Sequence, residues 1–233
     1  MSLFDEIDRV TWSTGPSSRL LAARGVAHGF LGRTAEAAMA GKHWARQVHG
    51  TRIVEASAGV TSEDAAERAS ADGVITSTRG LRVAVKTADC LPVLLAGRAA
   101  VVAVHAGWRG LTAGILGVAV QELVRRGEAA PEIVAVVGPA ISREKYEVGR
   151  EVAQALASPE LGLAPEAWAL TVAKGHGDRW HADLPLAAVL TLRAHGLLPE
   201  HLEVVQACTT DDAWHSYRRD GSVRGSNIHF IAL

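Results

Sequence analysis

The sequence predicts an α+β fold in which mixed, largely antiparallel β-sheets are flanked by helices, and it reads as one domain over residues 1–233. Two observations carry the fold class. The segments "GVITS", "LRVAVKT", "LPVLLA" and "AVVAVH" follow one another within residues 73–105 with little but Gly, Arg and Asp between them, which marks neighbouring strands joined by tight turns. Helical periodicity, by contrast, occurs singly between strand clusters and not in the regular alternation of βαβ winding. At 48% hydrophobic over 233 residues, the chain can fill one core without a second domain.

In chain order, weak strand signals at residues 10–12 and 27–31 precede an Ala-rich segment, 34–45. "RQVHGTRIVEA" then leads into a short strand, and "SAGVTSEDAAERASA" reads as a polar surface excursion. After the strand cluster, residues 111–126 are apolar at helical spacing and end in Arg125, Arg126 and Gly127, a basic last turn and a glycine stop. "EIVAVVG" is a further strand. Helices are expected at 148–157 and 184–195, the second opened by Asp183 as N-cap with Pro185 in its first turn. Strands "EVVQA" and "NIHFIAL" close the chain.

Charge narrows the partners. The 24 basic and 25 acidic residues are interspersed and leave a formal net charge of -1, so no footprint for nucleic acid or an anionic membrane is present and a small molecule is the expected partner. "MSLFDEIDRV" carries acids where a signal peptide needs basic residues, and no run of about 18 apolar residues occurs, so a cytoplasmic protein is expected. The oligomeric state is open. With only Cys90 and Cys208, each thiol needs an account of its own, as a lone thiol or a ligand.

The strand pair "LPVLLA" and "AAVVAV" supplies one such account. Gly97-Arg98 as a two-residue type II′ turn sets Ala96 opposite Ala99, Leu91 opposite Val104 and Cys90 opposite His105. Opposed residues have Cβ atoms about 4.5–5.5 Å apart, close enough for a thiolate and an imidazole to share one metal ion or one proton. "HAGWRG" adds a glycine-bearing entry to a helix with Arg109 at its mouth, a place where unpaired N–H groups favour phosphate or a developing oxyanion. His49 in "RQVHG" completes a Cys-His-His set, and three protein ligands with one open position is the arrangement of a catalytic zinc site. Copper is the alternative metal for such donors, but the ten histidines include no His-x-His pair on which a multinuclear copper cluster could be built.

"HGFLGR", "QVHG", "ADGVIT", "TADCLPVLL", "VHAGWRG", "YEVG", "ACT" and "SYRRDG", in this order and across almost the whole chain, resemble the laccase-domain or polyphenol oxidase family, whose members are regarded as zinc-dependent purine nucleoside phosphorylases with adenosine deaminase activity. The resemblance implies zinc ligands at His49, Cys90 and His105, with purine nucleosides and phosphate as substrates. On this reading zinc activates water for attack on C6 of adenosine, while Arg109 and Arg33 hold phosphate for phosphorolysis. Asp89 is assigned to proton transfer or to support of the metal loop, and one of Arg218 and Arg219, here Arg218, to the pocket.

Three positions depart from the family pattern. A longer glycine-rich segment containing "SLNLG" is replaced by residues 34–46; "SREKYEVG" stands where cysteines are usual, putting Lys145 beside Tyr146; and the terminal "TGR" becomes "RGS", with Arg224 and Ser226 displaced. The metal triad is thus intact and the substrate shell altered, which predicts normal metal binding with weakened turnover. Two other readings stay open: a metal-free Cys-His enzyme, since the spacing also resembles deamidases of the cytotoxic necrotizing factor type, and a family member that keeps a structural metal without turnover.

Overall fold

The structure is a computed structural model that describes residues 3–14, 17–33, 42–57, 69–221 and 225–233. Its largest sheet has seven strands, in the order Thr11–Ser13, Leu202–Val205, Val134–Val137, Leu91–Ala96, Val101–Ala106, Gly73–Thr76 and Ile53–Glu55. The three central pairings are antiparallel and the outer three parallel. A four-stranded sheet orders Ala27–Leu31, Asn227–Ala232, Arg82–Thr87 and Lys42–His43, and a small third sheet joins Glu147–Val148, Trp180–Ala182 and Val172–Lys174. The α+β fold with mixed, mostly antiparallel sheets is therefore the observed one.

The central hairpin explains its own apolar runs. Every residue of Leu91–Ala96 and Val101–Ala106 is buried, because both faces of the sheet are covered. Leu91, Val93, Leu95, Val102 and Val104 pack in one cluster with the helices Ile115–Arg125 and Leu184–Ala194. The alternate residues Leu94, Ala96, Val101 and Ala103 meet Phe30, Val83, Val85 and Ile231 of the four-stranded sheet. Period-two alternation thus sorts one continuous hydrophobic run into two cores.

The turn of this hairpin differs from the expected one. Ala96 pairs with Val101, so residues 97–100 form the loop, and Gly97 N–H donates to Ala100 O over 2.9 Å. The cause is remote in sequence: the Glu128 carboxylate accepts the Ala99 N–H at 2.6 Å, and a Cβ on Gly97 would lie 2.4 Å from that carboxyl carbon. His105 consequently pairs with Pro92, not Cys90, and Leu91 with Ala106. The shift is two residues. Since side chains alternate with period two, Cys90 and His105 stay on one face as diagonal neighbours, and their proximity survives the corrected register.

The expected helix at 111–126 is also divided. Trp108–Thr112 is a five-residue helix, Gly114 adopts φ 90°, and Ile115–Arg125 follows. Arg109 therefore sits in a single helical turn whose dipole is too short to make an anion site by itself. Asp183 caps Leu184–Ala194 as expected, accepting Leu186 N–H at 2.9 Å, whereas the 148–157 helix contracts to Arg150–Ala155 because Val148 joins a strand. The helices Leu3–Asp8, Arg19–Ala23, Pro165–Thr171 and Tyr217–Asp220 had no clear periodic signal. Most of the Ala-rich segment 34–45 and of the polar excursion lies outside the described residues, as does Arg224. No helix among the described residues is long and apolar enough to cross a membrane.

His229, fully buried on Asn227–Ala232, shares a 2.8 Å hydrogen bond with Thr87 Oγ1. Burial, with the nearby His105 charge, pushes its imidazole down to about 3. The unfolded chain takes up that proton near pH 6.5 and the folded chain does not until about 3, so stability falls as pH drops through this window, with a limiting slope of about 1.4 kcal/mol per pH unit. Denaturant titrations at pH 7 and pH 5 should give a smaller loss for His229→Gln than for the wild type. Identical losses would contradict a neutral, proton-refusing His229.

Candidate metal centre and pocket

Asp72 precedes the Gly73–Thr76 strand with a side chain wholly shielded from solvent. Its carboxylate accepts the backbone N–H groups of His49 at 2.9 Å, Gly50 at 2.7 Å and Val48 at 3.1 Å, and it lies 2.8 Å from His105 Nδ1. Its own carbonyl accepts His105 N–H at 2.7 Å. Burial opposes this charge, but His105 and the three N–H groups outweigh burial and hold the carboxyl below its usual range. One buried acid therefore fastens the loop bearing His49 to the strand bearing His105.

Two close approaches bring the third donor in. Gly107 leaves room that a Cβ would fill at 2.7 Å from His49 Cδ2 and 3.1 Å from Cys90 Sγ, and a Cβ on Gly110 would meet Gly50 O at 2.9 Å. The glycines of "HAGWRG" therefore permit contact with the triad. Cys90 follows Asp89, whose φ of 88° is unusual for a non-glycine residue. That strain is held in place by Thr209 Oγ1 donating to Asp89 Oδ1 at 2.6 Å, Arg218 N–H to Oδ2 at 2.7 Å and Ile141 N–H to its carbonyl at 3.1 Å. Both carboxylate oxygens of Asp89 are thus committed to holding the Cys90 turn.

The result is a cluster of one ligand atom each from His49, Cys90 and His105, all within 4.8 Å of one another. His49 Nε2 lies 4.0 Å from Cys90 Sγ, and the two imidazole rings meet edge to face with centroids 4.8 Å apart. His49 is exposed with φ 61°, Cys90 is half-buried and His105 is buried. Burial resists a thiolate at Cys90, yet His105 and His49 bring the thiol down to about 7. Burial likewise resists a charge on His105, yet Asp72 and Cys90 push its imidazole up to about 9. Because Nδ1 of His105 is engaged by Asp72, Nε2 is the nitrogen left for a metal. A soft thiolate with two imidazoles is a donor set suited to zinc or copper, and it could hold one ion.

The cluster opens into a cavity of about 780 Å³ lined by Trp44, Lys86, Trp108, Tyr146, Tyr217 and Arg218 among others. Asp89 and Ser226 are also on its wall. Arg109 and Arg33 are not. Arg109 is exposed with its guanidinium 4.3 Å from the Trp108 ring centre, and Arg33 is tied to Asp220 at 3.1 Å and to Trp214 O at 3.0 Å. Arg218 turns its guanidinium onto Lys145 O at 3.0 Å and Glu147 O at 2.9 Å, above the Tyr146 ring. Burial and the Cys90 charge push the Tyr146 phenol up to about 12. Sequence reasoning passed over Asp72, although an acid entering the apolar "GVIT" strand was a visible signal, and it passed over Trp44, Lys86 and Tyr146.

Asp72→Asn keeps the size of the side chain but not its charge or its set of acceptors. It should weaken zinc binding by about 10- to 100-fold in competition with a chromogenic chelator; unchanged affinity would show that the carboxylate does not orient the ligands. In metal-free protein, alkylation of Cys90 by iodoacetamide, followed by peptide mapping, should rise with pH through about 7. A midpoint in the ordinary thiol range would contradict the influence of the two imidazoles.

Residues 28–233 match the family model described as multi-copper polyphenol oxidoreductase laccase. The chain is 39% identical over 195 residues to purine nucleoside phosphorylase YfiH of Shigella flexneri, covering 82% of this chain and 73% of the relative. It is 32% identical over 170 residues to adenosine deaminase RL5 from an unknown prokaryotic organism, covering 70% and 63%. The structure of YlmD from Geobacillus stearothermophilus superposes with a TM-score of 0.77 at 30% identity, covering 86% of this chain and 77% of that one. With both sequence and fold matched over most of its length, the chain belongs to the multi-copper polyphenol oxidoreductase laccase family.

Proposed function

We propose that this chain is a zinc-dependent purine nucleoside phosphorylase with adenosine deaminase activity, acting as one catalytic domain over residues 1–233. The observation that carries the reading is the His49, Cys90 and His105 cluster facing a cavity of about 780 Å³, a volume within the usual range for small-molecule sites. The names of the relatives supply the substrate class. Zinc is preferred to copper because the donors form one three-ligand group, and among the described residues no second group stands beside it to build a copper cluster.

A zinc ion held by these residues supplies Lewis-acid activation of water at neutral pH. The remaining work belongs to the chain. His49 packs against Gly107, and Asp72 holds the His49 backbone N–H and the His105 imidazole. The rings of Trp44, Trp108, Tyr146 and Tyr217 line the cavity and offer aromatic surface to a purine. Asp89 holds the Cys90 turn, each of its carboxylate oxygens accepting one hydrogen bond. For phosphate, Arg46 and Lys86 line the cavity, Arg46 bonded to Ser70 and Lys86 lying 4.9 Å over the Trp44 ring, whereas Arg109 and Arg33 lie off its wall, on Trp108 and Asp220.

Protein prepared without added metal should release hypoxanthine from inosine in the presence of phosphate and ammonia from adenosine, with kcat/KM below that of YfiH-type relatives because of the shortened 34–46 segment. Cys90→Ala should abolish both reactions along with the bound zinc. Lys86→Ala should reduce phosphorolysis about 10-fold or more relative to deamination, and Arg109→Ala should separate the two reactions less. A wild type inactive in both assays would contradict the nucleoside reading, and a metal-free wild type stoichiometrically alkylated at Cys90 would favour the thiolate nucleophile instead.

A further inference from the structure

Tyr146 stands on the cavity wall with Cys90 and His105, and its ring packs at the border of the main core. A phenylalanine would pack there equally well. The hydroxyl makes no hydrogen bond to any of the described residues, and it belongs to a side chain that lines the cavity. A phenol is protonated at neutral pH, so this is a neutral donor with no partner among the described residues.

The backbone on both sides of it is hydrogen-bonded. Tyr146 N–H donates to Ser142 O at 2.9 Å, and Tyr146 O accepts Ala182 N–H at 3.2 Å. The carbonyls on either side, Lys145 O and Glu147 O, both receive the Arg218 guanidinium, at 3.0 and 2.9 Å, and that guanidinium lies 5.3 Å from the ring centre. Arg218 is in turn anchored through its own N–H to Asp89, the residue before Cys90. Its charge is directed at two backbone carbonyls and an aromatic face, not into the cavity as an anion hook.

We propose that Tyr146 is the hydrogen-bond donor that contacts the nucleoside, and that Arg218 is a positioning residue which fixes this phenol relative to the Cys90 turn. The acceptor is a ring nitrogen, carbonyl or ribose oxygen of the ligand. The assignment rests on the nucleoside reading above. It gives the SYRRDG segment a task distinct from phosphate binding, and it explains why an arginine, with several donors in a fixed fork, is used to span carbonyls two residues apart.

The test measures kcat/KM for adenosine deamination and inosine phosphorolysis, together with zinc content, in Tyr146→Phe, Arg218→Ala and the double variant. Tyr146→Phe should lose about 10- to 100-fold in kcat/KM while keeping its zinc. Arg218→Ala should cost about 10-fold in the wild-type background and less than about 2-fold once Tyr146 is Phe, since a residue acting through another has nothing left to position. If Arg218→Ala fails to fold, Arg218→Lys takes its place in the same cycle. Wild-type turnover that Tyr146→Phe leaves intact overturns the donor assignment alone, and an equal Arg218 cost in both backgrounds overturns its positioning role. A zinc-loaded wild type with no turnover overturns the nucleoside reading and this assignment with it.

Discussion

The buried carboxylate of Asp72 is the interaction on which the site depends. It gathers three consecutive N–H groups of the 48–50 loop and the His105 imidazole around one charge with no exposure to solvent. Hydrogen bonds to a charged group are worth about 1.5–3 kcal/mol each, and a buried charge left without them is costly. The loop and the strand therefore cannot separate without exposing or orphaning that charge. This ties the His49 backbone and the His105 imidazole to one point of the folded scaffold.

Everything around Asp72 is arranged so that the chain can come this close. Gly107 and Gly110 remove the side chains that would stand between the helix entry and the His49 loop, and Asp89 accepts an unfavourable backbone angle to turn Cys90 toward them. Behind the site, the hairpin Leu91–Ala96 and Val101–Ala106 is clamped between helices and a second sheet, so its ends carry Cys90 and His105 on a rigid base. The strained and close-packed features lie at the end of the strands and the regular ones behind it. That division is expected where precise ligand geometry must be held by elements that do not move.

Most of this was legible in the sequence, and what was not has a common cause. Strand runs such as "LRVAVKT" and "NIHFIAL" and the Asp183 cap rest on local pattern, so they could be read from neighbouring residues, whereas the triad came from the hairpin pairing and the family resemblance. The hairpin register could not, because Glu128, some thirty residues away, selects the 97–100 loop by bonding Ala99. The triad survived that error because the slip was an even number of residues. Arg109 and Arg33 were read as phosphate ligands and Arg218 as a pocket residue; where their guanidinium groups point is set by Trp108, Asp220 and the Lys145 and Glu147 carbonyls, which no local pattern announces. Asp72 was missed for the same reason, its partners lying over twenty residues to either side.

The His49, Cys90 and His105 set could hold one metal ion, and the proposed function requires that ion to be zinc. Anomalous diffraction at the zinc and copper absorption edges, on crystals of protein purified without added metal, tests it most directly. One zinc peak is expected within bonding distance of Cys90 Sγ, His49 Nε2 and His105 Nε2, with the Asp72 carboxylate still on His105 Nδ1. A peak elsewhere, several copper peaks, or coordination through His105 Nδ1 would contradict it.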